Sequence, residues 1–164
     1  MPKLLVLYVG AESPAAALAD AAADGARTVR FTEVDVLVGD EHSQPTRGRH
    51  RRLASSELLR DYAGIVIACD AAAEVPDALN AVLRDLERTP SDTFVNSVFG
   101  VAGGENTVLT GRVAALGGIL VGEPRGAADP EGRARELGAR VAKVVGWVAH
   151  ALGHEHSADH HHHH

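Results

Sequence analysis

The sequence predicts a three-layer α/β/α fold around a five-stranded parallel sheet, and three observations support this prediction. Short apolar runs of strand length alternate along the chain with segments that favour helix. The most apolar of these runs, at residues 3–9, 64–69 and 96–101, suit strands that are buried on both faces. Glycine or proline stands between most of the segments. Strands that alternate with helices form parallel sheets with both faces covered, and placing the three apolar strands centrally gives the order 2-1-3-4-5.

The first elements of the chain are defined by their residue patterns. Residues 3–9 read as a strand, and the alanine-rich segment 14–23 favours a helix that Gly25 is expected to end. Residues 28–36 alternate β-branched or aromatic side chains with polar ones, which is typical of a strand with one exposed face. Residues 39–52 contain glycine, proline and charges without an apolar period, so we expect a long loop there.

The later elements share one kind of signal, an apolar run or a helical apolar period next to a capping residue or a helix breaker. They are a short helix from Ser55 to about Asp61, a strand at 64–69, a helix opened by Pro76, a strand at 96–101, a helix at 105–116 ended by Gly117 and Gly118, a strand beginning at 119–121 and a helix at 130–152. Within such a sheet, ligands bind where the central strands end, so the loops after residues 9, 69 and 100 are the ones to inspect.

Composition limits the possible functions. The chain has 164 residues and a formal net charge of −6, and a negative balance argues against general nucleic-acid binding. We expect one domain at residues 1–153, followed by a tail at 154–164 whose five final histidines resemble a purification tag. Without an apolar run of about 20 residues we expect no membrane partner. A single cysteine, Cys69, and histidines without metal-ligand spacing predict a cytoplasmic protein with no metal site.

Several segments in register resemble one family. They are the glycine-rich stretch VFGVAGGE at 98–105, AALGG at 114–118, RELGARVA at 135–142 and LLRDYAGIVIA at 58–68. Together they resemble the flavodoxin-like NAD(P)H:quinone oxidoreductases, which bind FMN. The resemblance implies a flavodoxin-like fold, a homo-oligomer, and NAD(P)H and a quinone as partners. It also places FMN against the three loops, with these candidate cofactor-binding residues: Gly10, Ala11, Glu12, Ser13, Asp70, Ala71, Ala72, Ala102, Gly103 and Gly104.

The first loop departs from the pattern that phosphate binding requires. Free backbone N–H groups at a helix N-terminus favour an anion. Here Ser13 is the expected N-cap, and Pro14 removes one N–H group from the first turn. Glu12 adds a carboxylate where the phosphate would lie, and repulsion in a partly dehydrated loop costs on the order of a few kcal/mol. The sequence therefore predicts that FMN binding is weakened or lost.

The other two loops give mixed signals. The stretch DAAAEVP at 70–76 contains no aromatic side chain or glycine to support a flavin ring, whereas Gly103 and Gly104 would let the backbone approach a ring closely or would simply form a tight turn. Two functions follow. The first is an FMN-dependent oxidoreductase without an assignable catalytic side chain, and the alternative is a cofactor-free binding or assembly module.

Three features outside these loops remain open. The basic run from Arg47 to Arg52 fits a solvated loop better than a phosphate site. Tyr8 and Phe99 belong to strands and should pack in the core. Trp147 lies off the apolar stripe of the last helix, so it packs either on the edge of its own domain or on a neighbouring subunit.

Overall fold

The computed structural model describes residues 1–10, 13–39, 50–70, 74–103, 106–125 and 129–162, with side chains as far as His154. Within these residues the strands are β1 (Lys3–Tyr8), β2 (Glu33–Val38), β3 (Arg51–Arg52), β4 (Gly64–Ala68), β5 (Val98–Ala102) and β6 (Ile119–Val121). The helices are α1 (Pro14–Arg27), a 3₁₀ helix (Ser56–Asp61), α2 (Asp77–Glu87), α3 (Thr107–Ala114) and α4 (Pro130–His162). None of the helices in this part of the chain is both long enough and apolar enough to cross a bilayer.

All strands pair in parallel in the order β3-β2-β1-β4-β5-β6, which confirms the predicted parallel sheet and the central position of the three apolar strands. The sheet has six strands instead of the predicted five. The additional strand is β3, which lies beside the end of β2 with Leu37 opposite Arg51 and Val38 opposite Arg52. Two exposed arginines have no apolar period, so no residue pattern indicates this short edge strand.

Two hydrophobic cores lie on the two faces of the sheet. One contains Leu4, Val6 and Tyr8 and is covered by α1 and α4. The other contains Leu5, Leu7 and Phe99 and is covered by the 3₁₀ helix, α2 and α3. Tyr8 is fully buried and Phe99 is 1% exposed, which confirms the predicted core role of both aromatic residues. Side chains that alternate along β1 therefore enter opposite cores, as the pleat of a central strand requires.

Glycines bring α1 and α4 into very close contact. A Cβ atom at Gly25 would stand 1.8 Å from the Arg135 carbonyl oxygen, and one at Gly138 would stand 1.9 Å from the Ala22 carbonyl oxygen. The prediction that Gly25 ends the first helix is therefore wrong. The helix continues to Arg27, because Gly25 serves the packing of two helices and not a cap.

The strand β2 begins later than predicted. Residues 28–32 form turns, and Phe31 adopts φ +66° with its side chain 76% exposed. The alternating pattern at 28–36 arises partly in this connection, where Val29 packs against the core from a turn. An apolar side chain that packs on the core from a turn contributes to the sequence the same alternating pattern as one that packs on it from a strand.

A half-buried phenol connects β2 with the segment that leads into β4. Tyr62 donates a hydrogen bond of 2.8 Å to Asp35 Oδ2, while Arg51 lies 3.3 Å from Asp35 Oδ1. Burial, followed by the hydrogen bond to Asp35, raises the pKa of Tyr62 from 10.0 to about 12. The neutral phenol is favoured by folding, so its contribution to stability is complete below pH 10 and is lost as the pH rises towards 12.

The absorbance of tyrosinate measures the pKa of Tyr62. The chain has only one other tyrosine, Tyr8, so the signal has two possible sources. We expect no ionisation of Tyr62 near pH 10 in the folded protein, with Tyr62→Phe assigning the signal. Asp35→Asn removes the carboxylate and should bring the pKa of Tyr62 closer to its ordinary value. An unchanged titration in Asp35→Asn would assign the raised pKa to burial alone.

Candidate functional site

The candidate site lies at the carboxyl edge of the sheet. Gly10, Asp70 and Gly103 follow the strands β1, β4 and β5, which are neighbours in the sheet, so the three connections meet at this edge. Ser13 lies where the first connection enters α1. Among the other predicted cofactor-binding residues, Ala11, Glu12, Ala71, Ala72 and Gly104 lie outside the described residues.

The first connection uses its own polar groups. Gly10 adopts φ +80°, and Ser13 is extended at the N-cap position of α1. The Ser13 amide donates to the Gly10 carbonyl oxygen at 3.0 Å. The Ser13 hydroxyl lies 2.7 Å from the same oxygen and 3.1 Å from the Val9 carbonyl oxygen, so its single hydrogen is shared within the loop. Neither donor of Ser13 is directed at a ligand.

The first turn of α1 offers few donors in its described part. Pro14 has no N–H group, and the Ala16 amide donates to the Ser13 carbonyl oxygen at 3.1 Å. The first turn also contains no acidic side chain, and Ser13 makes no capping hydrogen bond through its side chain. A phosphate that used the Ser13 donors or the Ala16 amide would have to displace hydrogen bonds that already exist.

A large cleft opens beside this turn on the α2 side of the sheet, and we call it the α2 cleft. Its volume is about 910 Å³, within the range of pockets that hold cofactors. Gly10 and Ser13 line one wall, and Ala78 and Ala81 of α2 line another. The ionisable groups in its lining, among the described residues, are the carboxylates of Asp77 and Asp85.

A second cleft of about 530 Å³ lies between the N-termini of α1 and α4, and we call it the α1–α4 cleft. Pro14, Ala17 and Leu18 form its apolar wall. Four carboxylates and one guanidinium line the rest, and these are Asp70, Glu123, Asp129, Glu131 and Arg133. Arg133 Nε lies 3.9 Å from Glu123 Oε1, so the guanidinium is already close to one of the carboxylates. Within the described residues, no cluster of His, Cys, Asp and Glu has the geometry to hold a metal ion.

The predicted residues therefore divide between two clefts. Gly10 and Ser13 line the α2 cleft, whereas Asp70 and Gly103 line the α1–α4 cleft. Ala102 is fully buried at the end of β5. Cys69 is also buried, and burial raises the pKa of its thiol, followed by the influence of Asp70, so the thiol is a packing residue without nucleophilic character.

The two clefts fit a neutral ring better than a phosphate. Their volumes suit a flavin, and alanines of α1 and α2 contribute small apolar side chains to the walls. No aromatic side chain lines either cleft in the described part of the chain. Carboxylates outnumber cations in both clefts, and an anionic phosphate would be repelled in each. The described lining thus has room and small apolar side chains beside a ring of the size of isoalloxazine, without an aromatic side chain to stack on it, and its net negative charge disfavours the phosphate.

The structure corrects the interpretation of the basic run. His50 is 8% exposed, and Arg51 and Arg52 form the exposed strand β3. The Tyr8 hydroxyl lies 2.8 Å from His50 Nδ1, and His50 Nε2 lies 2.6 Å from Asp20 Oδ1. The imidazole therefore connects the end of β1 to α1, and no local pattern could have indicated this, because the partners lie 42 and 30 residues away. Residues 47–49 lie outside the described part.

Comparisons with solved structures identify the fold. A short-chain flavodoxin associated with a non-canonical PDU bacterial microcompartment is 17% identical, with a TM-score of 0.61 over 88% of this chain and 99% of that one. A diflavin flavoprotein A3 from Nostoc sp. is 19% identical, with a TM-score of 0.58 over 93% and 97% of the two chains. A flavodoxin from the domain Archaea is 13% identical, with a TM-score of 0.55 over 87% and 98%.

This chain therefore has the flavodoxin-like α/β fold, as predicted. No protein-family model and no curated protein matches the sequence. Identities below 20% describe the shared architecture alone, so the function has to be argued from the site.

Proposed function

We propose that this chain is a flavodoxin-like protein related to the FMN-dependent NAD(P)H:quinone oxidoreductases, in which recognition of the FMN phosphate is weak. The flavin ring occupies the α2 cleft, which is the larger of the two and is lined by Gly10 and Ser13. A bound flavin supplies hydride and electron transfer, and the protein supplies the binding surface. NAD(P)H as donor and a quinone as acceptor are the partners that the sequence resemblance suggests.

One observation carries the proposal. The amide and the hydroxyl of Ser13 both donate to carbonyl oxygens of the loop that precedes α1. A tight phosphate site needs such donors free and directed outwards. Since the carboxylates Asp77 and Asp85 also line this cleft, most of the affinity for a flavin has to come from the ring and the ribityl chain.

Riboflavin provides the direct test, because it lacks only the phosphate of FMN. We expect both flavins to bind with dissociation constants in the range of about 1 to 100 µM, and within about tenfold of each other. Quenching of flavin fluorescence measures both affinities under the same conditions. Preference for FMN by more than about 100-fold would contradict weak phosphate recognition. Failure of both flavins to bind would contradict the flavin function and support the cofactor-free alternative.

Two matched variants locate the ring. Ala81→Phe fills the α2 cleft and Ala17→Phe fills the α1–α4 cleft, and neither alanine is buried. We expect Ala81→Phe to weaken binding of both flavins by at least about tenfold, while Ala17→Phe leaves it unchanged. The reverse result would move the flavin to the α1–α4 cleft. Oxidation of NADH or NADPH by a quinone at saturating flavin then tests the reaction itself.

A further inference from the structure

A third cavity lies between the 3₁₀ helix and the end of α2, and we call it the arginine pocket. Its volume is about 340 Å³, smaller than either cleft of the candidate site and at the lower end of the range for ligand pockets. Eight described residues line it, and seven of them are polar or charged. They are Ser55, Ser56, Glu57, Arg60, Asp85, Leu86, Arg88 and Thr89. Such a lining suits a small and polar ligand.

The arginine pocket contains two guanidinium groups without partners. Arg60 belongs to the 3₁₀ helix and Arg88 directly follows α2, and both side chains are exposed. Within the described residues, no ion pair or hydrogen bond joins either guanidinium to the protein, although the carboxylates of Glu57 and Asp85 line the same pocket. In the α1–α4 cleft, by contrast, the one guanidinium already lies close to a carboxylate. The two guanidinium groups of the arginine pocket are therefore available to an external anion.

Hydrogen bonds connect the two walls of the pocket and leave one hydroxyl donor available. Ser56 Oγ donates to Asp85 Oδ2 at 3.0 Å, which joins the 3₁₀ helix to α2. The Thr89 hydroxyl donates to a carbonyl oxygen at the end of α2 at 2.6 Å, so that carbonyl needs no further donor. Ser55 Oγ accepts from the Glu57 amide at 3.3 Å, and its hydrogen has no acceptor among the described residues.

The charges of the pocket match a ligand that combines a phosphate with hydroxyl groups. Two guanidinium groups balance a phosphomonoester dianion, and each can donate two parallel hydrogen bonds to its oxygens. The ionised carboxylates of Glu57 and Asp85 only accept hydrogen bonds, and hydroxyl groups are donors that add no charge. A phosphate alone would bring no donor to these carboxylates, and a neutral sugar would bring no anion to the guanidinium groups.

We propose that the arginine pocket binds a phosphorylated sugar. The guanidinium groups of Arg60 and Arg88 hold its phosphate. The carboxylates of Glu57 and Asp85 accept hydrogen bonds from its hydroxyl groups. The sugar is either a free sugar phosphate or the phosphorylated ribose of a nucleotide that also extends into the α2 cleft, because the two cavities share lining residues of the 3₁₀ helix and of α2.

Ribose 5-phosphate is the probe for a free sugar phosphate, and amide chemical shifts of isotope-labelled protein follow its binding. We expect a dissociation constant in the range of about 0.1 to 1 mM, with the largest shifts at Ser55, Glu57 and Thr89. Ribose and inorganic phosphate each lack one half of the ligand. Each should therefore bind at least about tenfold more weakly than ribose 5-phosphate.

Matched arginine variants locate the phosphate. Arg60→Gln and Arg88→Gln each remove one guanidinium from an exposed position, so the proteins should fold normally and bind ribose 5-phosphate at least about tenfold more weakly. Arg84→Gln is the control, because Arg84 is an exposed arginine one turn earlier on α2 and lines none of the three cavities. It removes the same charge and should leave the affinity unchanged.

NADPH and NADH distinguish the two sources of the sugar phosphate, since NADPH carries a ribose phosphate that NADH lacks. Binding of NADPH more than about tenfold tighter than both NADH and ribose 5-phosphate, with the difference lost in Arg60→Gln, would identify a nucleotide. Similar affinities for NADPH and ribose 5-phosphate would identify a free sugar phosphate. Either result supports the pocket as a site for a phosphorylated sugar.

Four results would overturn the proposal. The first is that neither ribose 5-phosphate nor NADPH binds at about 10 mM. The second is that inorganic phosphate binds as tightly as ribose 5-phosphate, which would leave an unspecific anion site. The third is an affinity that survives both arginine substitutions. The fourth is that these substitutions weaken binding of FMN and not of riboflavin, which would assign the pocket to the flavin phosphate. The sugar phosphate titrations contain no flavin, so failure of the proposed flavin function would not affect them.

Discussion

Replacing Gly138 by alanine is expected to destabilise the protein by more than about 4 kcal/mol. The added Cβ would stand 1.9 Å from the Ala22 carbonyl oxygen and 2.7 Å from its carbonyl carbon, and both atoms belong to the backbone of α1. A side chain could rotate away, but a helix backbone can only move as a whole. The packed residues on both helices would then lose contact, including Ala22 and Val141 in the shared core.

Thermal unfolding followed by circular dichroism measures this effect. For a domain of this size, 4 kcal/mol corresponds to a fall in Tm of roughly 10 °C or more. Gly25→Ala should have a similar effect, because its Cβ would stand 1.8 Å from the Arg135 carbonyl oxygen. The double variant should be destabilised by less than the sum of the two single variants. The helices have already moved apart to accommodate one added Cβ, so the other one meets less resistance.

Gly146→Ala is the matched control on the same helix. A Cβ there meets nothing within 4 Å, so the substitution should stabilise α4 through helix propensity by up to about 1 kcal/mol. The same chemical change is thus expected to have opposite signs at two positions eight residues apart. Equal stability of Gly138→Ala and Gly146→Ala would show that α1 and α4 do not approach as closely as the structure indicates.

These glycines also show which features cannot be predicted from the sequence, namely close contacts between residues that are far apart in the chain. The element types and the strand order follow from hydrophobic periods, because burial between two layers demands them at every core position. Gly25 was predicted to end a helix, since the sequence cannot distinguish a glycine that caps from one that admits a neighbouring backbone. The decisive atom at Gly25 belongs to Arg135, which lies 110 residues away and makes no local pattern.

For the candidate site too, the sequence predicts the position but not the detailed arrangement. The edge of the sheet and the strands that end there follow from topology, and Gly10, Ser13, Asp70 and Gly103 do line clefts at that edge. The division of these residues between two clefts could not be predicted, because it depends on how α1 and α4 flank the end of the sheet. The direction of the Ser13 hydroxyl could not be predicted either. The hydroxyl oxygen of an N-cap serine usually accepts a hydrogen bond from an amide of its own helix, whereas here the hydroxyl donates to the carbonyl oxygens of Val9 and Gly10, which precede it.

The second large effect concerns phosphate recognition, and we expect the double substitution Glu12→Thr/Pro14→Asn to strengthen FMN binding by about 10- to 100-fold. The threonine removes a carboxylate that the sequence places between Gly10 and Ser13, and it adds a hydroxyl donor. The asparagine restores the backbone N–H group that Pro14 lacks at the start of α1. Both changes act on the phosphate, so the affinity for riboflavin should change by less than about threefold.

The comparison of the two flavins makes this result specific. Glu136→Thr on the outer face of α4 removes the same charge at an exposed position away from both clefts, so it controls for net charge. It should leave both affinities unchanged, and the gain in the double variant should shrink as salt screens the phosphate. An equal gain for FMN and riboflavin would mean that the substitutions reshape the cleft and do not create a phosphate site. No gain for FMN would contradict the argument that the Glu12 carboxylate and the missing N–H group of Pro14 weaken phosphate binding.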